Sequence, residues 1–317
     1  MDFPLALAVH GGAGTISRDQ MTPELERQYR DALQQVIETG YDVLRHGGLA
    51  LDAVEAAVRA LEDCPLFNAG RGSVFTHDGR HEMDAALMDG RDRSAGAVAG
   101  VRNIQNPISL CRLVMEKSDH VLLAWPGAEE FARTHNVPTQ PDEYFFTQHR
   151  FDQLQGALKS GKVQLDHSRD DFPKENPKSK IGTVGAVARD RHGNLAAATS
   201  TGGMTNKRYS RIGDSPVIGS GTFADNRTCA VSCTGTGEFF LRAVAAYDVA
   251  CLMEYRGLSL DDACNIVVHE KLAPVGGDGG LIAVDAAGNL ALPFNSEGMY
   301  RGSLTSDTPL YIGIFKE

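Results

Sequence analysis

A threonine that follows a glycine, where a charged segment meets an apolar strand, can carry acyl-transfer chemistry on one residue. In Lys180-Ile181-Gly182-Thr183-Val184-Gly185 that residue is Thr183. Scission of the Gly182–Thr183 bond would leave a hydroxyl nucleophile and a free α-amine together. An α-amine titrates near ~7.7–8.0, so it can take the hydroxyl proton at neutral pH without a histidine. In the uncut chain the same nitrogen is an amide and no base, so the intact chain is expected to be inactive. Upstream, residues 166–180 read DHSRDDFPKENPKSK, with little to bury and two prolines. Downstream, Thr183-Val-Gly-Ala-Val-Ala has the small and β-branched residues of a buried strand.

Three further segments supply what such a nucleophile needs. Thr183 to Asp190, a turn at His192-Gly193-Asn194, and Leu195 to Thr201 read as a β-hairpin. A turn centred on His192-Gly193 sets Thr183 opposite Gly202 and beside Thr201, to within one or two residues. The Thr201 hydroxyl could then orient that of Thr183. The loop from Lys207 to Pro216 presents Arg211 and Asp214, suited to the α-carboxylate and α-ammonium of an amino acid. Ser232-Cys-Thr-Gly-Thr-Gly-Glu238 runs from a strand into a helix, so Thr234 and Gly235 could offer a hydroxyl and an N–H to an oxyanion. Singly, these segments also read as a linker entering a strand, a surface ion pair and an anion loop of another kind.

Their order is more specific than any one of them. G-T-V-G, T-S-T-G-G-M-T-N-K, R-I-G-D-S-P and S-C-T-G-T-G-E follow in sequence, framed by Ala8-Val-His-Gly-Gly-Ala-Gly14, Asn68-Ala-Gly-Arg-Gly-Ser-Val-Phe75, Gly276 to Asp285 and Asn295 to Met299. Over nearly the whole chain this closely resembles the plant-type asparaginases, or isoaspartyl peptidases, of the N-terminal nucleophile (Ntn) hydrolase superfamily. The resemblance implies an α+β fold, a four-layer αββα sandwich. It also implies one domain cut by itself into 1–182 and 183–317, with a flexible linker at about 160–182. Thr183 would be the nucleophile, Thr201 its helper, and Thr234 with Gly235 the oxyanion hole. Arg211 would hold the substrate α-carboxylate and Asp214 its α-ammonium, with Gly237 along the pocket and Asn68 near the nucleophile. Main-chain carbonyls of Leu61, Glu62, Cys64, Phe67, Ala69 and Arg71 would wrap a structural sodium or potassium ion, with no catalytic cofactor. L-Asparagine and β-aspartyl dipeptides are the implied substrates, and a dimer of cleaved protomers, a heterotetramer, the implied assembly.

One position departs from the family's pattern. Ser210 stands before Arg211 where the family usually has glycine. If that backbone needs positive φ, serine strains it by roughly 1 kcal/mol and re-aims Arg211. Alternative readings are a glycosylasparaginase-like or processing-protease Ntn hydrolase, and a non-cleaving small-molecule-binding relative. A nucleotide binder built on His10 to Gly14 fits poorly, because the loop lacks the Lys-Ser/Thr of a P-loop and a full G-x-G-x-x-G.

The elements that must place these residues are legible in part. A strand is expected at Leu5–His10, a helix from Thr22-Pro23, and another over about Ala50 to Leu61. After Gly182 strands dominate to Ser232, followed by helices at about Glu238–Tyr255 and Leu260–Lys271. The hairpin from Leu281 to Pro293 repeats the D-x-x-G-N-L-A of the hairpin after Thr183, as turn chemistry and not a duplicated domain. With 317 residues and a 42% hydrophobic fraction the chain can bury a substantial core. A net charge of −10 argues against a nucleic-acid surface. The N-terminus has no basic leader and no apolar run approaches a membrane span, so a cytoplasmic location is expected. The six cysteines are scattered, and Cys229 and Cys233 are too far apart along a strand to bridge.

Overall fold

The computed structural model describes residues 3–16, 18–160 and 182–316. The linker expected at about 160–182 lies almost wholly outside these residues. In chain order the elements are β1 (Ala6–Gly14), α1 (Pro23–Arg45), α2 (Ala50–Asp63), β2 (Met83–Asp89), β3 (Ala95–Val101), α3 (Pro107–Lys117) and β4 (Leu122–Ala124). Three short helices follow, α4 (Gly127–Thr134), α5 (Asp142–Phe145) and α6 (Gln148–Ser160). After Thr183 come β5 (Val184–Arg189), β6 (Leu195–Thr201), β7 (Thr222–Ala224), β8 (Cys229–Gly235), α7 (Gly237–Ala243), α8 (Ala245–Arg256) and α9 (Leu260–Asn265). The chain closes with β9 (Gly279–Asp285), β10 (Leu290–Ala291), β11 (Gly298–Thr305) and β12 (Tyr311–Phe315).

Among the described residues the strands form two sheets. One has eight strands in the order β12-β11-β1-β5-β6-β2-β3-β4, and the other four, β10-β9-β8-β7. Their residues alternate between two cores, as a period of two requires. Leu7 and Val9 of β1, Val184, Ala186 and Ala188 of β5, and Ala196 and Ala198 of β6 pack with Leu33, Ile37, Val54, Val58 and Leu110 of α1 to α3. The intervening Ala6, Ala8, Val187, Leu195 and Ala197 join Val231, Cys233, Leu281 and Ala283 of the smaller sheet, and Val249, Leu252 and Ala263 of α8 and α9. Continuing that alternation puts His10, Gly185, Thr199 and Thr201 on the face that looks at the smaller sheet. Alanine at so many of these positions keeps the two sheets close.

The β5–β6 register pairs Val184 with Ser200 and Arg189 with Leu195. This is one residue out of step with the expected pairing. It sets Thr201, not Gly202, across from Thr183. The turn explains the shift: Asp190 Oδ1 accepts the amides of His192 at 2.8 Å and Asn194 at 3.0 Å, with Gly193 at φ 80°. Asp285 makes the same turn before β10, accepting from Ala287 and Asn289 at 2.9 Å each, with Gly288 at φ 93°. The repeated motif is therefore turn chemistry.

Local signals placed other boundaries. Thr22 caps α1, its Oγ1 accepting Leu25 N at 3.2 Å with Pro23 in the first position, and Ser259 caps α9 through Asp262 N at 3.1 Å. Two expectations fail. The helix expected over Glu238–Tyr255 breaks at Val244, which is left-handed at φ 50°, ψ 47°. The break frees the N-terminus of α8 to dock, with Ala246 N on Ser220 O at 3.2 Å and Tyr247 N on Gly219 O at 2.8 Å. The helix expected to run to Lys271 leaves α geometry after Asn265, and Ile266–Leu272 is a π-helix. The first strand also outruns its expectation, reaching Gly14 through a bulge between His10 and Gly12. All six cysteines are free thiols, Cys229 and Cys233 among them. No helix among the described residues is long and apolar enough to cross a membrane.

Candidate active site

The strand ends β5, β6 and β8, and the loop before β7, meet at one mouth between the sheets. A cleft of about 350 Å³, its open mouth included, is lined there by Gly182, Thr183, Thr201, Arg211, Asp214 and Gly235, with Gly203, Met204, Gly213 and Ser215. Residues spread over more than fifty positions of sequence thus share one surface.

Thr183 is buried, and its Oγ1 donates to Thr201 Oγ1 at 3.1 Å. Thr201 Oγ1 also accepts Gly203 N at 3.0 Å, which fixes the position of that hydroxyl. Asn68 ties down the same turn: its amide of Nδ2 donates to Gly203 O at 2.8 Å and its Oδ1 accepts Val74 N at 3.0 Å. Asn68 thus bonds the protein through both its oxygen and its nitrogen, and it does not line the cleft. Gly202 is obligatory there, because a Cβ would fall 2.5 Å from Asn68 Oδ1 and 2.6 Å from Ser73 Cβ.

Gly182 is buried against the bulge of β1. A Cβ on Gly12, which has φ 113°, would lie 2.5 Å from Gly182 N and 2.8 Å from Gly182 O. The Gly182–Thr183 junction is therefore pressed onto backbone, with no side chain between.

Thr234 and Gly235 arrive from β8. Thr234 Oγ1 accepts Ala13 N at 3.2 Å, which leaves its own proton available. Gly235 faces the cleft with its backbone packed so closely that a Cβ would meet Asp278 O at 2.4 Å.

Arg211 and Asp214 occupy the other wall, packed on Gly237, the first residue of α7. A Cβ on Gly237 would come within 2.8 Å of both Arg211 Nη2 and Asp214 Oδ1. Burial pushes the Asp214 carboxyl up to about 7, against the opposing pull of its own backbone N–H and of Arg211. Its Oδ2 is buried without a hydrogen-bond partner among the described residues, which suits a site for a cation. Arg211 is engaged by a residue that the sequence reading did not single out: Glu238 takes its Nε and Nη2 in a two-point ion pair, each contact 2.8 Å. The only sequence signal was the last letter of T-G-T-G-E. Ser210 has φ 54° and Tyr209 φ 61°, so the loop does need positive φ where the family has glycine.

A buried histidine also escaped notice. His10 Nδ1 lies 3.0 Å from Thr183 O and Nε2 2.9 Å from Ser232 Oγ. Burial lowers its pKa to about 3, despite the opposing effect of the bond to Thr183, so the ring is neutral. It lay in the His10 to Gly14 motif, but only the fold shows what it faces.

The segment expected to wrap an alkali ion bends back on the end of α2. Gly70, at φ 49°, and Gly72 allow this: Cβ atoms there would lie 2.4 Å from Glu62 O and 2.0 Å from Phe67 O. The carbonyls of Leu61, Cys64 and Ala69 each also accept one amide, from Cys64, Phe67 and Gly72. A carbonyl keeps a second lone pair, and neutral oxygens are donors that a hard monovalent cation accepts.

The chain is also similar over nearly its whole length to known proteins. A family model described as Asparaginase matches residues 3–314. The isoaspartyl peptidase of Salmonella typhimurium (strain LT2) is 56% identical over 312 residues, covering 98% of either chain. That of Escherichia coli (strain K12) is 56% identical over 312 residues, 98% of this chain and 96% of its own. The isoaspartyl peptidase/L-asparaginase of Xenopus laevis is 42% identical over 309 residues, 98% of this chain and 94% of its own.

Proposed function

The chain belongs to the asparaginase family, and from that premise we propose that it is an isoaspartyl peptidase and L-asparaginase activated by its own cleavage after Gly182. The observation that carries this reading is the Thr183–Thr201 hydroxyl pair in one cleft with Arg211, Asp214 and Gly235.

The free α-amine of Thr183 takes the proton of its own hydroxyl, and Oγ attacks the side-chain carbonyl carbon of the substrate. Negative charge moves to the carbonyl oxygen, where the Thr234 hydroxyl and a Gly235 N–H stabilise it. The C–N bond breaks, and the amine leaves with the proton carried by the α-ammonium. Water then attacks the aspartyl ester, returning the Thr183 hydroxyl and releasing L-aspartate. Arg211 and Asp214 grip the α-carboxylate and α-ammonium, so the bond presented to Thr183 is the β-amide. Asparagine and β-aspartyl dipeptides both meet that requirement. The substrate carboxylate has to share Arg211 with Glu238 or displace it.

The fold is a four-layer αββα sandwich of the Ntn-hydrolase type, consistent with two facing sheets and helix cores on their far sides. Cleavage yields 1–182 and 183–317, which pair and then dimerise in the cytoplasm. Carbonyls of Leu61, Glu62, Cys64, Phe67, Ala69 and Arg71 hold a sodium or potassium ion that stiffens the loop leading to Asn68, and no catalytic step passes through it.

Denaturing intact-mass measurement with assays on L-asparagine and a β-aspartyl dipeptide tests the reading. Two fragments, 1–182 and 183–317, and release of aspartate are expected. Thr183→Ala should stay whole and lose at least ~10³-fold in rate. An uncut, or cut but inactive, wild type would refute the proposal.

A further inference from the structure

Behind the cleft, four buried side chains form an unbroken hydrogen-bonded chain between the two sheets. Thr222 Oγ1 lies 2.7 Å from Thr199 Oγ1, and Thr199 Oγ1 2.7 Å from Ser232 Oγ. Ser232 Oγ lies 2.9 Å from His10 Nε2, and His10 Nδ1 3.0 Å from Thr183 O. The catalytic steps above use none of these four side chains.

One atom dictates the tautomer at the head of the chain. Thr183 O can only accept, so Nδ1 must carry the hydrogen. In the neutral ring Nε2 is then bare and accepts from Ser232. Ser232 has one proton to give, so its 2.7 Å contact with Thr199 takes the Thr199 proton, for which Gly221 O at 3.2 Å competes. Thr222 donates to Thr199, with Ser215 O at 3.2 Å its second acceptor. The space for the His10–Ser232 contact exists because residue 185 is glycine. A Cβ there would fall 2.0 Å from Ser232 Oγ and 2.6 Å from His10 Nε2.

We propose that His10 is a positioning residue for the nucleophile: its Nδ1–H holds Thr183 by the carbonyl, and the Ser232 hydroxyl enforces the tautomer that does so. The inference rests on Thr183 being the nucleophile. Thr183 immediately precedes β5, so cleavage removes the covalent tether on one side and leaves it held only through its bond to Val184, the first residue of the strand. A hydrogen bond to its own carbonyl then limits rotation of the residue that bears both hydroxyl and amine. A misplacement of about 1 Å costs as much as ~10²-fold in rate. Substrate affinity depends on Arg211 and Asp214, carried on a different loop, and should be spared.

A kinetic cycle on fully cleaved protein with a β-aspartyl dipeptide tests this, using wild type, Ser232→Ala, His10→Asn and the double variant. Asparagine can offer an N–H where Nδ1 stood and has nothing in place of Nε2. Ser232→Ala should lower kcat about 10-fold with KM within about twofold. In the His10→Asn background the same change should add less than about twofold, because the group through which it acts is gone. In parallel, ¹⁵N-histidine NMR, with the signal assigned by its loss in His10→Asn, should show a neutral Nδ1–H imidazole.

Equal losses from Ser232→Ala in both backgrounds, or an effect mainly on KM, would overturn the inference while leaving the function intact. An Nε2–H tautomer or an imidazolium would overturn it even if Ser232→Ala failed to fold. A cleaved wild type without activity would remove the functional reading and this one with it.

Discussion

Asp214 makes the sharpest prediction at the scale of single residues. Its carboxyl sits near 7 in the free protein, so below that pH it is protonated and cannot hold an ammonium group. A bound ammonium favours the carboxylate and draws that value down. The acid limb of kcat/KM should therefore reflect two groups, Asp214 near pH 7 and the Thr183 amine near ~7.7–8.0. The limb of kcat should reflect the amine alone. Rate profiles between pH 5.5 and 9 should thus fall with slope approaching two for kcat/KM and one for kcat; equal slopes would count against the role of Asp214. Much of this residue set was legible from Thr183, Arg211, Asp214 and Thr234 with their neighbours. What was not legible were the partners chosen by folding. Ser232 stands 222 positions from His10, and Glu238 stands 27 from Arg211. No local pattern signals either contact.

At the scale of elements, the loop before β7 carries stored strain. Tyr209 and Ser210 are successive left-handed residues, and a β-carbon in that region costs roughly 1–2 kcal/mol. Ser210→Gly relieves one of them and gives back part of the gain as unfolded-state entropy of ~0.4–1 kcal/mol. A rise of about 1–2 °C in Tm is expected by calorimetry, with KM shifting more than kcat because Arg211 is the next residue.

The junction of α2 and α3 offers a second case. Glu62 Oε1 accepts Ser200 Oγ at 2.6 Å and Ile108 N, in the first turn of α3, at 3.0 Å. Burial raises its carboxyl from 4.5 to about 8, outweighing those hydrogen bonds. The folded state then binds the proton more tightly than the unfolded one, so wild-type stability declines as pH rises from about 4.5 to 8. Glu62→Gln lacks that decline. Melting curves across this window should show wild type losing ground to the variant as pH rises; parallel curves would mean that Glu62 is ionised throughout. Element boundaries fixed by caps and turns were readable in the sequence, as at Thr22, Ser259 and the two Asp-x-x-Gly-Asn turns. The break at Val244 was not, because it depends on carbonyls of Gly219 and Ser220 that only the fold brings near.

At the scale of the whole molecule, the order of the large sheet matters more than its size. A cut after Gly182 assigns β1 to β4 to one chain and β5 to β12 to the other. The sheet order β12-β11-β1-β5-β6-β2-β3-β4 then wedges β1 of the first chain between β11 and β5 of the second, with a third seam at β6–β2. Three strand ladders and both cores would join the two products, so they should remain one body. Complete unfolding nonetheless separates them. Tm of the cleaved protein should rise more steeply with protein concentration than that of uncut Thr183→Ala. Superimposable slopes would mean that the halves do not part on melting.

The wedged strand also gives the protein a history. The uncut chain reaches its fold as one polymer, with β11 and β5 tethered to β1 at high effective concentration. A pair cleaved after Gly182 would inherit that arrangement but not the tether that made it easy to find. The working life of such a pair would then be set by how slowly it first comes apart, a matter of unfolding rate and not of equilibrium.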